Sequence, residues 1–340
     1  MPIRYQASEV PTSYATCSIG YQESHTLPLK LKAIADAGFD AVELSMPDIL
    51  AYGKMLNGSE PDPKDYDALV EVGHAVKAQM VEHGLKVMML QPFANFEGWP
   101  RGSTERADAF ERARGWIRVM EAVGTDLLQV GSSDAPGIAD SSVDDMATDL
   151  AELADLCAPK GFRVAYENWC WATRAPAWKD VWDIVKRADR PNLGLCLDTF
   201  QSGGGEWADP TTKSGLVEEE GASGAALERV AGGAGGDGAR EQDLPAADLG
   251  RVQDGPAARR RGRPRIGAAA ARAVEPRLPP PAVRRGYLPV REFLNAVLAT
   301  GFRGYLSMEV FDPKGQEKRY PDMGAYAKKA MDSLEKLLVA

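Results

Sequence analysis

Histidine and cysteine are scarce in this chain, which carries 3 histidines and 4 cysteines among 340 residues. The cysteines, Cys17, Cys157, Cys170 and Cys196, show neither paired nor metal-type spacing, which argues against a disulfide framework and against a cysteine-bound metal. Most of them lie in or beside apolar segments, where cysteine usually behaves as a small buried hydrophobic residue. We therefore expect a cytoplasmic protein whose thiols stay reduced.

Long apolar runs and a net positive charge are also absent. No stretch reaches the roughly 18 apolar residues of a membrane span, and residues 1–4 do not begin an apolar signal core. The formal net charge of −9 argues against nucleic acid as the main partner, because phosphate binding needs a basic face. The length suits one large domain of the α/β-barrel type or two smaller ones, and we expect a single domain over residues 1–340. We expect a small-molecule substrate, no nucleic-acid or membrane partner, and possible association into a homo-oligomer.

One sequence pattern recurs along the chain: a predicted helix, a glycine and then a short apolar strand. It places Gly38 before AVELSM, Gly84 before VMMLQPF, Gly124 before LLQVGS, Gly161 before VAYENW and Gly301 before GYLSMEVF. Glycine suits a left-handed helix end, and such apolar strands suit a buried parallel sheet. Apolar spacing predicts helices at 27–37, 66–83, 104–123, 143–160, 178–188 and 323–338. The repeat predicts an α/β fold, a (β/α)8 TIM barrel. An open doubly wound sheet is less favoured, because no glycine-rich fingerprint follows the first strand.

Acids and amides stand at the ends of several predicted strands. VAYE ends on Glu167, LCLD on Asp198, LSME on Glu309 and LLQ on Gln129. Because the carboxyl ends of barrel strands meet at one face, three acids from separate strands could hold a divalent metal through oxygen ligands. Such ligands suit Mg, Mn or Co about equally. The alternative for any single acid is that it caps the loop after its strand.

The periodicity stops between about residues 230 and 285, where a seventh strand is expected. No aromatic residue occurs at positions 208–286, and ten arginines fall between Arg251 and Arg285. One interpretation is a low-complexity, irregular segment at 222–286 within the domain. A minor-groove hook at 261–264, Arg-Gly-Arg-Pro, is a far less favoured interpretation.

A frameshift explains this scrambled segment better. Read one base later, permissible codons for 241–255 can encode SKIYLLQISDAYRMD, and the runs from Val230 and Ala271 can encode SLAELGETVPE and RGPWSHDYRPLPFDG. These segments supply a helix, a strand and a loop in the order that a barrel needs. We therefore hypothesise a +1 frameshift that enters near Arg229 and closes near Arg285. The recovered strand LLQIS would carry a glutamine across Ala247 and Asp248.

The chain resembles the xylose-isomerase-like sugar isomerase/epimerase superfamily, and within it the fungal 3-dehydroshikimate dehydratases of quinate catabolism. The resemblance covers about residues 14–215 and 286–338. It is carried by LQPFANFEG at 90–98, AYE at 165–167 with Trp169 and Trp171, RPNLGLCLDTF at 190–200, ADP at 208–210, GYLPV at 286–290 and SME at 307–309. It implies a metal-dependent lyase at the mouth of a barrel.

In that family a divalent metal binds side chains from four strands, and Glu167, Asp198 and Glu309 match three of these positions. The fourth would be the glutamine of the shifted frame. Some relatives carry histidine three residues after the aspartate ligand, and here that residue is Gln201. This departure removes one candidate proton carrier and weakens any assignment to a histidine-dependent branch.

The resemblance also implies a reaction. Dehydration of 3-dehydroshikimate removes a proton beside a ketone, expels a hydroxyl and ends in aromatisation to protocatechuate. Glu167 and Glu309 are the candidate catalytic residues, with the metal as Lewis acid. The candidate substrate-binding residues are Glu43, Gln91, Arg101, Gln129, Trp169, Arg174 and Gln201.

Other interpretations remain open at this stage. Gln91 and Gln129 could be structural, Trp169 could be core rather than pocket wall, and Arg101 and Arg174 could be surface residues. The same scaffold also suits a sugar or inosose isomerase, epimerase or dehydratase. An endonuclease for abasic sites is disfavoured by the acidic charge and the few histidines. A frameshifted gene could also encode an inactive product.

Overall fold

The computed structural model describes residues 10–206, 251–252, 290–320 and 322–339. In this part of the chain, strands alternate with helices. The strands are β1 (Thr12–Ala15), β2 (Ala41–Ser45), β3 (Lys86–Phe93), β4 (Leu127–Gly131), β5 (Arg163–Glu167), β6 (Leu193–Cys196), β7 (Arg251–Val252) and β8 (Leu306–Met308). The helices are α1 (Leu27–Asp36), α2 (Met46–Asn57), α3 (Tyr66–His83), α4 (Thr104–Val123), α5 (Val143–Cys157), α6 (Trp178–Ala188), α7 (Thr199–Glu206), α8 (Val290–Ala299), α9 (Pro313–Arg319) and α10 (Met323–Val339).

The eight strands form one parallel sheet in the order β6-β5-β4-β3-β2-β1-β8-β7. Chain neighbours pair throughout β1 to β6, and β1 also pairs with β8. This is the neighbour order that a (β/α)8 barrel requires, since each helix returns the chain to start the next parallel strand. The predicted fold is confirmed.

The seventh strand is short. Arg251 pairs with Ser307 and Val252 with Met308, so β7 lies beside β8 where a seventh barrel strand belongs. Among the described residues, β6 and β7 are the two ends of the strand order. Apart from these two residues, the segment 222–286 lies outside the described residues, as do Ala247 and Asp248. The frameshift therefore stays a hypothesis.

The two faces of the sheet differ in what they bury. On one face, branched and aromatic side chains such as Val42, Leu44, Val164 and Tyr166 join the large core shared with the helices. On the other face, a second cluster forms from Ala41, Met88, Met89, Leu127, Ala165 and Cys196. Alternation along the strands places Glu43, Gln129 and Glu167 on this second, inner face, further along the same strands. The polar residues at the strand ends thus lie above an apolar inner layer.

Glycine ends several of the helices, as the sequence predicts. Gly84, Gly124 and Gly161 have φ values of 67°, 84° and 71°, in the left-handed region where a Cβ is disfavoured. The predicted helices at 66–83, 104–123 and 178–188 agree with the observed bounds. The helix predicted at 143–160 ends earlier, at Cys157, and a 3-10 turn continues it over Ala158–Lys160.

Within the described residues, every helix is too short or too polar to traverse a lipid bilayer.

Candidate active site at the carboxyl ends of the strands

Six polar side chains predicted to belong to the site are buried near or just beyond the carboxyl ends of six strands. They are Glu43, Gln91, Gln129, Glu167, Asp198 and Glu309, and each is at most 3% exposed. Register supports a shared face, because Ser45 pairs with Gln91, Gly131 with Glu167, and Glu167 with Cys196. Burial of this many acids and amides beside one another marks a polar interior at this end of the sheet.

Gln129 contacts Glu167 directly. The side-chain amide of Gln129 donates to Glu167 Oε2 over 2.5 Å, between neighbouring strands β4 and β5. The Gln129 carbonyl oxygen Oε1 is buried and has no hydrogen-bond partner among the described residues. The amide therefore orients the carboxylate and presents an acceptor to the interior.

Gln91 connects to Glu309 through Cys17. Gln91 Nε2 lies 3.4 Å from Glu309 Oε1 and 3.2 Å from Cys17 Sγ, and Cys17 Sγ lies 3.2 Å from the same Glu309 oxygen. These groups come from the ends of β3, β8 and β1. Sequence reasoning missed Cys17, which it assigned to apolar packing. Its place two residues after the first strand is the signal that would have found it.

Asp198 caps the helix that follows it. Its Oδ1 accepts from the backbone N–H groups of Phe200 at 2.6 Å and Gln201 at 3.0 Å, at the start of α7. Burial raises the pKa of the Cys170 thiol to about 12, and the Asp198 charge adds to that rise. Asp198 thus performs the capping role that was the alternative for a single strand-end acid, while it remains fully buried beside the site.

Trp169 lies over the end of β4. A Cβ on Gly131 would come within 2.2 Å of the Trp169 indole, so only glycine admits the ring at this point of the inner face. The backbone N–H group of Trp169 donates to Ser132 Oγ at 2.8 Å, and Trp171 packs against the indole with ring centroids 5.6 Å apart. This position matches a wall of the site rather than the helix-side core.

Three other candidate residues contact less of the site. Gln201 is buried, and its Oε1 accepts from the backbone N–H group of Cys170 at 3.0 Å, which braces the loop that carries Trp169. Arg101 is exposed and lies 3.7 Å from Glu152 in an ion pair. Arg174 is also exposed. The roles of these residues in substrate binding stay predictions.

Glu97 was not predicted as a special residue, although it lies within the quoted segment 90–98. It is fully buried, and its Oε1 accepts from the Ser133 N–H group at 2.7 Å and from the Tyr166 hydroxyl at 2.9 Å. Burial raises the pKa of Glu97 to about 7. Because Tyr166 belongs to the helix-side core, Glu97 supports the loops behind the site.

Whether a metal would suit these residues depends on donor chemistry and on spacing. The donor set is right for a hard divalent cation, since carboxylate and amide oxygens dominate it. Amide contacts such as that of Gln129 to Glu167 are the kind that orient ligating carboxylates. However, the described residues contain no group of three or more His, Cys, Asp and Glu side chains placed to hold a metal. The shared metal site of Glu167, Asp198 and Glu309 therefore stays a prediction.

A family comparison decides the wider relationship. The sequence model of the family described as xylose isomerase-like TIM barrel matches residues 31–337, which is most of the chain. The chain belongs to the xylose isomerase-like TIM barrel family. Its parallel strand order agrees with the barrel fold of that family.

Two curated relatives of this protein carry the same name. A 3-dehydroshikimate dehydratase of Neurospora crassa is 34% identical over 197 residues, which cover 56% of this chain and 54% of that protein. A 3-dehydroshikimate dehydratase of Pseudomonas aeruginosa is 38% identical over 191 residues, 56% of this chain and 26% of that protein. The chain thus matches about half of the fungal relative and about a quarter of the bacterial one.

A solved structure of similar fold aligns with most of the chain. The crystal structure of the IOLI protein with a bound zinc atom has a TM-score of 0.60, covers 97% of this chain and 96% of its own, and is 17% identical. At this identity the likeness shows the fold alone.

Proposed function

We propose that this protein is a metal-dependent lyase that dehydrates 3-dehydroshikimate to protocatechuate, as in quinate and shikimate catabolism. The observation that carries the proposal is the similarity to curated 3-dehydroshikimate dehydratases over more than half of the chain. The residues of the polar strand ends support it. Buried acids and amides at one end of a barrel suit a substrate that carries a ketone, hydroxyls and a carboxylate.

Glu167, Asp198 and Glu309 would hold the divalent metal. When bound, the metal would supply Lewis-acid polarisation of the ketone or enolate oxygen. Oxygen ligands do not select among Mg, Mn and Co. A glutamine from the shifted frame would complete the set if the frameshift hypothesis holds.

Glu167 and Glu309 are the proposed base and acid. The base removes the carbon-bound proton beside the ketone, and the acid protonates the departing hydroxyl, which leaves as water. Loss of one water produces a ring that aromatises to protocatechuate. Hydrogen bonds from Gln129 to Glu167 and from Gln91 towards Glu309 would keep these carboxylates oriented between the two transfers.

Other residues would bind the substrate and shield the reaction. Gln91, Gln129 and Glu43 are proposed to recognise hydroxyl groups, and Gln129 presents a buried acceptor for this purpose. Trp169 would cover the strand ends and keep water away from the enolate. Arg101 or Arg174 would need to turn inward to meet the substrate carboxylate, because both are exposed.

The test is the appearance of protocatechuate absorbance when the purified protein meets 3-dehydroshikimate with Mg²⁺, Mn²⁺ or Co²⁺. Glu309→Gln and Glu167→Gln should each lower kcat by about 100-fold or more, because each removes a general acid or base. A chelator should abolish turnover. Glu71→Gln, on the exposed side of α3, serves as the matched control and should behave as wild type.

Absence of product with all three metals would reject the proposal for this chain. Full activity in the Glu309→Gln variant would reject the assigned role of Glu309 even if the chain is a dehydratase.

A further inference from the structure

Cys17 lies in the 3-10 turn Thr16–Ser18 that follows β1, half-buried at the same end of the sheet as the candidate acids. Its Sγ is 3.2 Å from Glu309 Oε1, close enough for the thiol to donate a hydrogen bond. Gln91 Nε2 lies 3.2 Å from the sulfur and 3.4 Å from the same oxygen. Three strand ends that are distant in sequence thus meet at one carboxylate oxygen.

The turn that presents the thiol is held from both sides. Lys30 Nζ donates to the carbonyl oxygen of Thr16 at 3.0 Å. Gln316 Nε2 donates to the carbonyl oxygen of Ser18 at 3.1 Å. Because both neighbours of Cys17 are fixed through their carbonyl groups, the sulfur has little freedom to leave Glu309, as a positioning group requires.

Two further polar groups at this end of the sheet could bind a polar ligand. Gln129 Oε1 and Ser45 Oγ are buried on the inner face and have no hydrogen-bond partner among the described residues. An unsatisfied buried acceptor or hydroxyl costs free energy unless a ligand or water meets it. The Gln91–Cys17–Glu309 contacts therefore belong to the wall of a ligand site rather than to apolar packing.

We propose that Cys17 is a positioning residue of the active site, whose thiol fixes the rotation of the Glu309 carboxylate together with Gln91. Both contacts fall on Oε1, so they restrain the plane of the carboxylate as well as its place. This inference rests on the proposed function, in which Glu309 moves a proton and contributes to metal binding. If Cys17 served only apolar packing, any small side chain could replace it; a positioning role requires a hydrogen-bond donor at this position.

A kinetic series tests the role. Cys17→Ser keeps a hydroxyl donor and should retain kcat within about threefold, whereas Cys17→Ala should lose about tenfold in kcat with little change in KM, as expected for loss of one hydrogen bond to a charged group. Cys157→Ala, on α5 in the helix-side core, is the matched control and should leave kcat unchanged. A purely structural role would give the serine variant no advantage over alanine.

A second measurement does not depend on turnover. In a Cys170→Ala background, the remaining cysteines Cys157 and Cys196 are buried, so iodoacetamide should modify Cys17 first. Saturating Mn²⁺ alone should slow this alkylation several-fold, because ordering of Glu309 by the metal also orders the sulfur that contacts it. Mass spectrometry of the labelled peptide gives the rate, even for a variant that is hard to assay.

The two experiments distinguish failure of the proposed function from failure of the proposed role of Cys17. No protocatechuate from wild type, together with Mn²⁺ protection of Cys17, would reject the substrate but support the position of Cys17 at the metal site. An active wild type whose Cys17→Ala variant is equally active, or whose Cys17 is alkylated at the same rate with and without Mn²⁺, would overturn the inference.

Discussion

The buried carboxylates Glu97, Glu167 and Glu309 differ in their hydrogen-bond partners. Glu97 accepts from a backbone N–H group and a tyrosine hydroxyl on the helix side of the sheet. Glu167 and Glu309 instead contact amide side chains at the strand ends. The sequence singled out Glu167 and Glu309, which close apolar strands, but not Glu97, which lies in the loop after β3. The hydrogen-bond partners in the structure show that Glu97 supports the loops, whereas Glu167 and Glu309 are candidates for catalysis.

Glu97→Gln should remove a pH-dependent part of the stability. Burial raises the pKa of Glu97 from its ordinary 4.5 to about 7 in the folded state. The folded protein therefore keeps a proton that the unfolded chain releases, so this contribution is full below pH 4.5 and is lost as the pH rises through 7. The wild-type melting temperature should fall between about pH 5 and pH 8, and by less in the variant.

Differential scanning calorimetry across that pH range measures the effect, with Glu71→Gln as the exposed control. Equal pH slopes for wild type and Glu97→Gln would show that Glu97 stays ionised in the folded protein.

Gly131→Ala should destabilise the protein by crowding Trp169. The added Cβ would lie 2.2 Å from the indole, so the ring must move off the end of β4. Overpacking of this kind costs about 1–3 kcal/mol. Urea denaturation measures the loss, and Trp169→Ala in the same background should recover part of it. If the two substitutions are additive, the ring does not rest on Gly131.

At the scale of the element, the glycines that end the helices were predicted, whereas the serines that begin them were found only in the structure. Glycine at the carboxyl ends and serine at the amino ends compensate the unpaired backbone groups of each helix, and these signals are local. Ser103 and Ser142 both accept a hydrogen bond from the backbone three residues on, at the starts of α4 and α5. The starts of the strands followed from the glycines that precede them, and their ends followed from the acids and amides that close the apolar runs.

Ser142→Ala should weaken α5 by about 1 kcal/mol, the usual cost of losing an N-cap. Ser142 accepts from the Asp145 N–H group, and the Asp145 carboxylate accepts from the Ser142 N–H group, so the substitution breaks a reciprocal pair. Ser141→Ala is the adjacent control and should cost far less. Thermal unfolding of both variants checks the difference, and equal losses would assign no special role to the cap.

At the scale of the molecule, the described residues place β7 beside β8, where a seventh barrel strand belongs. β7 has two residues, whereas the strands β2 to β5 have five to eight. A closed barrel removes its edges by pairing each strand with two neighbours, so the sequence of this segment matters for the whole fold. A frameshift in this segment would explain its unusual composition.

The frameshift hypothesis predicts a transcript in which codons 225–290 change frame twice. A chain with the shifted-frame residues in place of 230–285 should melt at a higher temperature than the present chain and should turn over 3-dehydroshikimate faster, because it regains a full strand and a glutamine ligand. Sequencing the transcript and comparing the two proteins provide the check. One continuous frame that encodes the present residues would end the hypothesis.

The barrel, the helix bounds at 66–83 and 104–123, and the polar strand ends followed from the sequence alone, because they depend on short-range periodicity and on glycine at fixed places. The contacts of Cys17 with Glu309, of Gln129 with Glu167 and of Trp169 with Gly131 were decided only by the tertiary structure. Each joins strand ends or loops that are far apart in the chain or face one another across the inner side of the sheet. The spacing of apolar residues along the sequence indicates which face of the sheet a residue occupies. Which residue it contacts on another strand depends on how the strands pack together in the barrel.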